Sequence, residues 1–192
     1  MWSHITDRAD AGHVAAVVDA ARHAQPRCGD CVVVAVDGPT GSGKSTLSGA
    51  VAQALGAPVV PLDAIYPGWD GLAASVGLLT TEVLEPIAHG EPAAYRTWDW
   101  EKHRWAGSVP VPAGRYLVVD GCGASVRPAG TYAAVRVWLD APRDIRRQRG
   151  VTRDGDVFDA HWEEWEAQEA DLFAADGTRG RADLVLTTSP SP

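Results

Sequence analysis

A chain of 192 residues, 45% hydrophobic and 22% charged, has the size and composition of one globular domain that buries a full core without disulfide or metal staples. Its formal charge of −8, from 17 basic and 25 acidic residues, argues against a general nucleic-acid or membrane-surface binder, so a small anionic ligand needs a local basic site. No stretch reaches the roughly 18 to 20 uninterrupted apolar residues of a membrane span, and Met1 to Asp10 has no apolar signal core, which points to a cytoplasmic protein.

Residues 7–24 place Val14, Val17, Val18 and Ala21 at helical spacing and predict an amphipathic helix. Gln25 to Asp30 reads as a loop. Cys28 and Cys31 form a C-x-x-C pair, but the three cysteines include no second pair or histidine cluster at zinc spacing. Cys31 opens a buried strand, where cysteine serves as a small apolar residue. Cys31 to Val36 is continuously apolar, as a central parallel strand covered on both faces must be.

Gly38, Gly43, Lys44 and Ser45 then satisfy the phosphate-loop pattern G-x-x-x-x-G-K-[ST] between that strand and a helix over about 44–55. The glycines let the backbone N–H groups curl inward on phosphate oxygens, and the new helix adds its positive end. Gly38, Thr40, Gly41, Ser42, Gly43, Lys44, Ser45 and Thr46 are the candidate nucleotide ligands. Lys44 would reach the β- and γ-phosphates of ATP, and Ser45 would ligate Mg²⁺. Asp37, just before the loop, braces it or takes part in chemistry; the spacing leaves its role open.

Pro58 to Leu62 predicts a second strand that delivers Asp63 at its C-terminal end, where open parallel sheets bind ligands. A carboxylate there can accept a hydroxyl proton and help hold Mg²⁺, the alternative being a helix N-cap. Leu72 to His89 suits one helix or two. Tyr95 to Trp105 packs three tryptophans among charges without a clear period, and with Trp69 and Asp70 upstream it suits a pocket wall whose rings stack on a base or sugar. Tryptophans taken singly also serve as plain packing residues.

Val109 to Gly114 reads as a Pro-rich connection. Arg115 to Val119 predicts a third strand ending at Asp120, placed to hold Mg²⁺ directly or through water, or to serve as a turn residue. Val135 to Leu139 and Asp183 to Thr187 predict the fourth and fifth strands, and Thr188 to Pro192 a loose tail. Between them come an Arg-rich segment and a helix over about 157–175. Arg146, Arg147, Arg149 and Arg153 would close on the triphosphate and stabilise transferring charge, with a solvated helix face as the alternative. His13, His23, His89 and His161 read as surface residues. Alternating strands and helices imply a three-layer α/β fold with a five-stranded parallel sheet, one P-loop domain over 1–192, a core over 31–187 and a lid over about 143–156.

With these residues in view, the chain resembles the uridine kinase and phosphoribulokinase family of P-loop kinases. The G-x-x-x-x-G-K-S loop matches, and an Asp-x-Phe-Tyr segment appears as Asp63-Ala-Ile-Tyr66. A Tyr-Asp-x-x-x-His motif appears as Trp98-Asp-Trp-Glu-Lys-His103. A Val-Glu-Gly appears as Val119-Asp120-Gly121, and lid arginines as Arg146-Arg147 and Arg153-Asp154. The resemblance implies that Asp63 is the base for an acceptor hydroxyl and a magnesium partner. It also implies that His103 contacts the acceptor base; the residues themselves make Tyr66, Trp69, Asp70, Trp98 and Asp99 the further candidate acceptor contacts, and Lys44, Arg147 and Arg149 the candidate groups for the transfer.

Trp98 in place of tyrosine, Asp120 in place of glutamate, the lid spacing and the lack of an Asp-His-Pro segment are departures that put uridine itself in question. The run Val36 to Lys44 with Ala64-Ile-Tyr66 is also similar to cytidylate kinases, which place arginines for the acceptor phosphate after that tyrosine. Here Pro67, Gly68 and Trp69 follow, and the nearest arginine is Arg96. The expectation is an ATP- and Mg²⁺-dependent kinase acting on a hydroxyl of a nucleoside-like small molecule, with no nucleic-acid or membrane partner. A monophosphate kinase and a regulatory ATPase are the alternatives. The sequence leaves the acceptor and the assembly open, a homodimer included.

Overall fold

The structure, a computed structural model, describes residues 8–188. The expected loose tail therefore falls, apart from Thr188, outside the described residues, as does Asp7 at the head of the first expected helix.

Six residues, Val32–Asp37, form β1, and every one of them is buried. Alternate side chains explain this. Val33 and Ala35 enter one apolar cluster, and Val32, Val34 and Val36 enter a second on the opposite face of the sheet. Strands β2 (Val59–Pro61), β5 (Tyr116–Asp120), β6 (Ala133–Asp140) and β7 (Leu184–Thr187) join β1 in a five-stranded parallel sheet of order β2-β5-β1-β6-β7. These are the five strands expected from the sequence.

Helix α1 (Ala11–His23) and helix α2 (Lys44–Leu55) cover one face through Val17, Val18, Ala21, Leu47 and Val51. Helix α1 starts later than its apolar period suggests, because the Asp10 carboxylate accepts a 2.8 Å bond from the His13 amide and caps it. The other face is covered by α3 (Leu72–Leu79), which continues through a wider π turn at Thr80–Leu84 into α4 (Glu85–Ala88). Pro86, which has no amide hydrogen, stands two residues past the end of that turn. Helices α5 (Arg143–Asp154) and α6 (Asp156–Asp176) then run from the end of β6, and Trp165 of α6 joins the same cluster.

The tryptophan-rich stretch is a separate antiparallel hairpin, β3 (Ala93–Asp99) with β4 (Arg104–Val111). The stretch expected as a pocket wall without a clear period is thus regular strand and turn, and β4 takes in Val109 to Val111 of the expected connection. The hairpin is fixed to the π turn by Arg96, whose amide and guanidinium both bond Glu82.

Cys28 and Cys31 are buried free thiols, with Cys28 Sγ donating to the Leu84 carbonyl at 3.1 Å. Burial pushes their pKa values up to about 12 and about 11, so both stay protonated and apolar. No helix among the described residues is long and apolar enough to cross a membrane.

Candidate active site

The loop between β1 and α2 is held in shape by close backbone contacts. Gly38 lies at φ 135°, and a Cβ there would sit 2.1 Å from the Leu139 carbonyl oxygen. Gly41 lies at φ 77° with Arg146 backbone equally close, 2.2 Å from its would-be Cβ. Both positions therefore require glycine for space as well as for dihedral angle. Asp37 is fully buried and accepts four bonds: from the amides of Gly38 (2.7 Å), Gly123 (2.9 Å) and Ser125 (2.7 Å), and from the Ser125 hydroxyl (2.9 Å). It laces the turn after β5 to the base of the phosphate loop. The bracing half of the question its position raises is therefore visible in the structure.

Lys44 is buried, and its Nζ donates to the Pro39 carbonyl at 3.0 Å and lies 3.4 Å from Cys122 Sγ. Burial penalises its charge, but Cys122, Glu169, Asp120 and Asp37 together outweigh that and raise its pKa. Asp120, at the end of β5, accepts a 3.0 Å bond from the Ser48 hydroxyl and a further one from Ser45. Burial and then the neighbouring charge of Asp63 push its pKa up to about 6, against the pull of Ser45, Lys44 and Ser48. Asp63, half-buried in the single 3₁₀ turn after β2, is raised chiefly by burial, with Arg153 and Lys44 opposing. A carboxylate raised by a neighbouring carboxylate, beside a serine hydroxyl, fits a divalent cation, which would relieve that repulsion. The loop fits a triphosphate.

The sign of the Asp120 effect is testable. Its folded pKa lies above the ordinary carboxylate value, so the fold holds this proton more tightly than the unfolded chain does. Stability from this group is full below about pH 4 and falls as pH rises to about 6, by about 3 kcal/mol. Urea unfolding at pH 4 and pH 7 should show wild type losing that much more than D120N. Equal losses in the two proteins would refute the assignment.

One cleft of about 1390 Å³ joins these groups to two walls. On the side of the phosphate loop it is lined by Thr40, Gly41, Gly43, Thr46, Arg149 and Thr188, by Arg8, Ala9 and Asp10 ahead of α1, and by His13 within it. Arg149 donates to the Thr188 hydroxyl at 2.9 Å, and Thr188 in turn donates to the Ser42 carbonyl at 2.9 Å. On the other side stand Asp63, Tyr66, Trp69, Trp100, His103, Arg153, Asp154, Phe158, His161 and Trp165. Trp69 stacks on His161 at 4.5 Å and meets Trp100 edge-on at 5.1 Å, while the Trp100 indole donates to the Asp63 carbonyl at 3.0 Å. Tyr66 packs against Trp165 at 4.9 Å and spends its hydroxyl on the Cys122 carbonyl.

The structure thus brings Lys44, Ser45, Asp63, Tyr66, Trp69, His103 and Arg149 to one cleft, with Asp120 bonded to Ser45. Of the expected loop ligands, Gly38 and the buried Ser42 do not line the cleft, and four other expected contacts lie elsewhere. Asp70 is exposed and does not line the cleft, and Trp98 packs on Trp105 across the hairpin at 5.2 Å. Asp99 accepts the amides of Glu101 and Lys102 and shapes the hairpin turn. Arg147 pairs on the surface with Asp159 at 2.8 Å.

Trp100 comes from the segment expected to form a pocket wall, and His13 and His161 line the cleft rather than standing on an ordinary surface. Phe158, His161 and Trp165 were not expected there. Their spacing 158-161-165 is one helix face, which was the available signal. Arg146 faces inward, donating to the Thr40 carbonyl at 3.2 Å.

No family model matches the chain. Its sequence is 32% identical over 142 residues to the cytidylate kinase of Pyrobaculum calidifontis, covering 72% of this chain and 69% of that one. It is 30% identical over 138 residues to the cytidylate kinase of Halobacterium salinarum, covering 72% and 67%. Among solved structures, a possible uridine kinase from Bacillus stearothermophilus superposes with a TM-score of 0.66 at 17% identity, covering 91% of this chain and 97% of that one. A protein described as a fructose transport system kinase from Silicibacter sp. TM1040 gives 0.61 at 25% identity, covering 90% and 98%. With a phosphate loop at the head of α2 and carboxylates at the ends of β2 and β5, this chain belongs to the same P-loop kinase family as those cytidylate kinases.

Proposed function

We propose that the protein transfers the γ-phosphate of ATP to a hydroxyl of a nucleoside or similar small polar molecule. The observation that carries this reading is the placement of Asp63. It stands on the acceptor side of the cleft, is raised in pKa by burial, and shares its surroundings with Lys44 and Asp120. A carboxylate so placed accepts the hydroxyl proton as the acceptor oxygen bonds to phosphorus and the bond to the departing diphosphate breaks.

The loop amides and Lys44 bind and orient the donor phosphates, and Arg149 steadies charge on the transferring group. Ser45 and Asp120 are the groups that would hold Mg²⁺, with Asp63 close by. Bound there, the ion would neutralise phosphate charge and fix its geometry.

The acceptor wall is aromatic, and three of its polar handles are already used: Tyr66 on Cys122, Trp100 on Asp63 and Trp165 on Glu169. What faces the acceptor is ring surface, suited to stacking on a flat base. Arg153 is the arginine on that side, and it is ion-paired with Asp154 at 2.7 Å. Recognition of an acceptor phosphate calls for placed arginines, so a hydroxyl acceptor fits better.

A monophosphate acceptor is the second reading, favoured by the sequence relatives named above. ADP release measured with cytidine, uridine, CMP, UMP and fructose separates the two. Stimulation by a nucleoside, about tenfold or more over the monophosphates, is expected. Stimulation by CMP alone would establish the second reading. No stimulation by any of them, with Mg·ADP still bound, would favour a regulatory ATPase.

A further inference from the structure

Helix α6 carries one buried carboxylate that this transfer does not use. Glu169 is 2% exposed, and its Oε1 accepts three bonds: from the Thr40 amide at 2.8 Å, the Cys122 thiol at 3.0 Å and the Trp165 indole at 2.8 Å. These donors belong to the phosphate loop, to the turn two residues past Asp120 and to the aromatic wall of the acceptor cleft. Arg146 holds the other end of Thr40 through its carbonyl, so α5 and α6 together grip one residue of the loop. Cys122 also lies beside the Lys44 ammonium. Glu169 Oε2 has no hydrogen-bond partner, and the nearest guanidinium nitrogen of Arg146 is 4.0 Å away. An incompletely bonded buried carboxylate costs stability that an apolar residue of the same size would not. What this one provides is a junction.

We infer that Glu169 is a positioning residue that couples the acceptor wall to the phosphate loop. A shift of Trp165 on filling of the cleft passes through one oxygen to the Thr40 amide, and seating of the nucleotide on the loop passes back to Trp165 by the same route. The inference rests on the reading of residues 38–46 as the nucleotide site. It makes the two halves of the cleft thermodynamically linked, with Glu169 between them.

Mg·ADP binding by calorimetry, together with tryptophan fluorescence, tests this without an identified acceptor. E169A is expected to weaken Mg·ADP by about tenfold or more, whereas E169Q, which keeps an accepting oxygen, stays within about threefold. The part of the fluorescence change on adding Mg·ADP that is missing in W165F should persist in E169Q and vanish in E169A. An E169A protein with native circular dichroism that binds within about twofold of wild type, or that retains the Trp165 signal, would overturn the inference.

Should E169A fail to fold, W165F carries the test alone. Removing the indole donor should change Mg·ADP affinity by about fivefold or more, although Trp165 stands on the acceptor side, and an unchanged affinity overturns the coupling. Wild-type protein that binds no Mg·ADP would remove the nucleotide reading itself and this inference with it.

Discussion

Replacing Asp63 with Asn is expected to lower kcat by roughly 10²- to 10⁴-fold while Mg·ADP affinity stays within about threefold. The amide keeps the shape and the contact with the 3₁₀ turn but cannot take a proton at neutral pH. The backbone carbonyl of Asp63, which receives the Trp100 indole, is untouched by the change, so the aromatic wall stays in place. The loss should therefore fall on the chemical step rather than on binding. Single-turnover rates and calorimetric titration of the variant decide the matter. Full turnover would remove Asp63 as the base, and loss of nucleotide binding would make it a donor-side ligand instead.

Asp37→Ala should be the most destabilising single change in the site, by about 3 to 5 kcal/mol. Its carboxylate satisfies three backbone amides and one hydroxyl in a region with no water access. Removing it strands four donors at once, each with its own desolvation cost. For a chain of this length that loss corresponds to a fall in Tm of roughly 10 °C or more. Asp37→Asn should recover only part of it, because its amide nitrogen would face donors. Thermal unfolding followed by circular dichroism checks both variants, and a D37A protein as stable as wild type would show that the two loops hold their shape unaided.

What could be read from the sequence followed the range of the signals. The phosphate loop is a local pattern between a strand and a helix, so Lys44 and Ser45 were identifiable from sixteen adjacent residues. The sheet was equally legible, since strands covered on both faces are apolar without a break. The hairpin was not. Strand β4 is mostly exposed and contains Pro110, so neither alternation nor composition marked it as a strand. The acceptor wall is assembled from Trp69, the hairpin turn and one face of α6, three segments whose meeting depends on the tertiary fold.

The arginines illustrate the same limit on a smaller scale. Read as a helix, positions 146, 149 and 153 share a face and position 147 turns away, which matches Arg147 pairing with Asp159 on the surface. Read as a charged segment, the four are indistinguishable. Glu169 gave no signal at all, since an acid in a run of acids on a long helix looks like a solvated one.

The hairpin of β3 and β4 forms its own two-stranded sheet and shares no ladder with the parallel five. It reaches the cleft through the turn that carries Trp100 and His103, whereas the groups proposed for ATP and Mg²⁺ lie at the ends of the main-sheet strands, on the loop between β1 and α2, or on the helices around the sheet. On the proposed function, the hairpin's share of the acceptor wall thus sits on a stretch of chain apart from the phosphate loop, while Trp69 and α6 supply the rest of that wall. Changes within residues 93–111 would alter that share and leave the loop's own contacts in place.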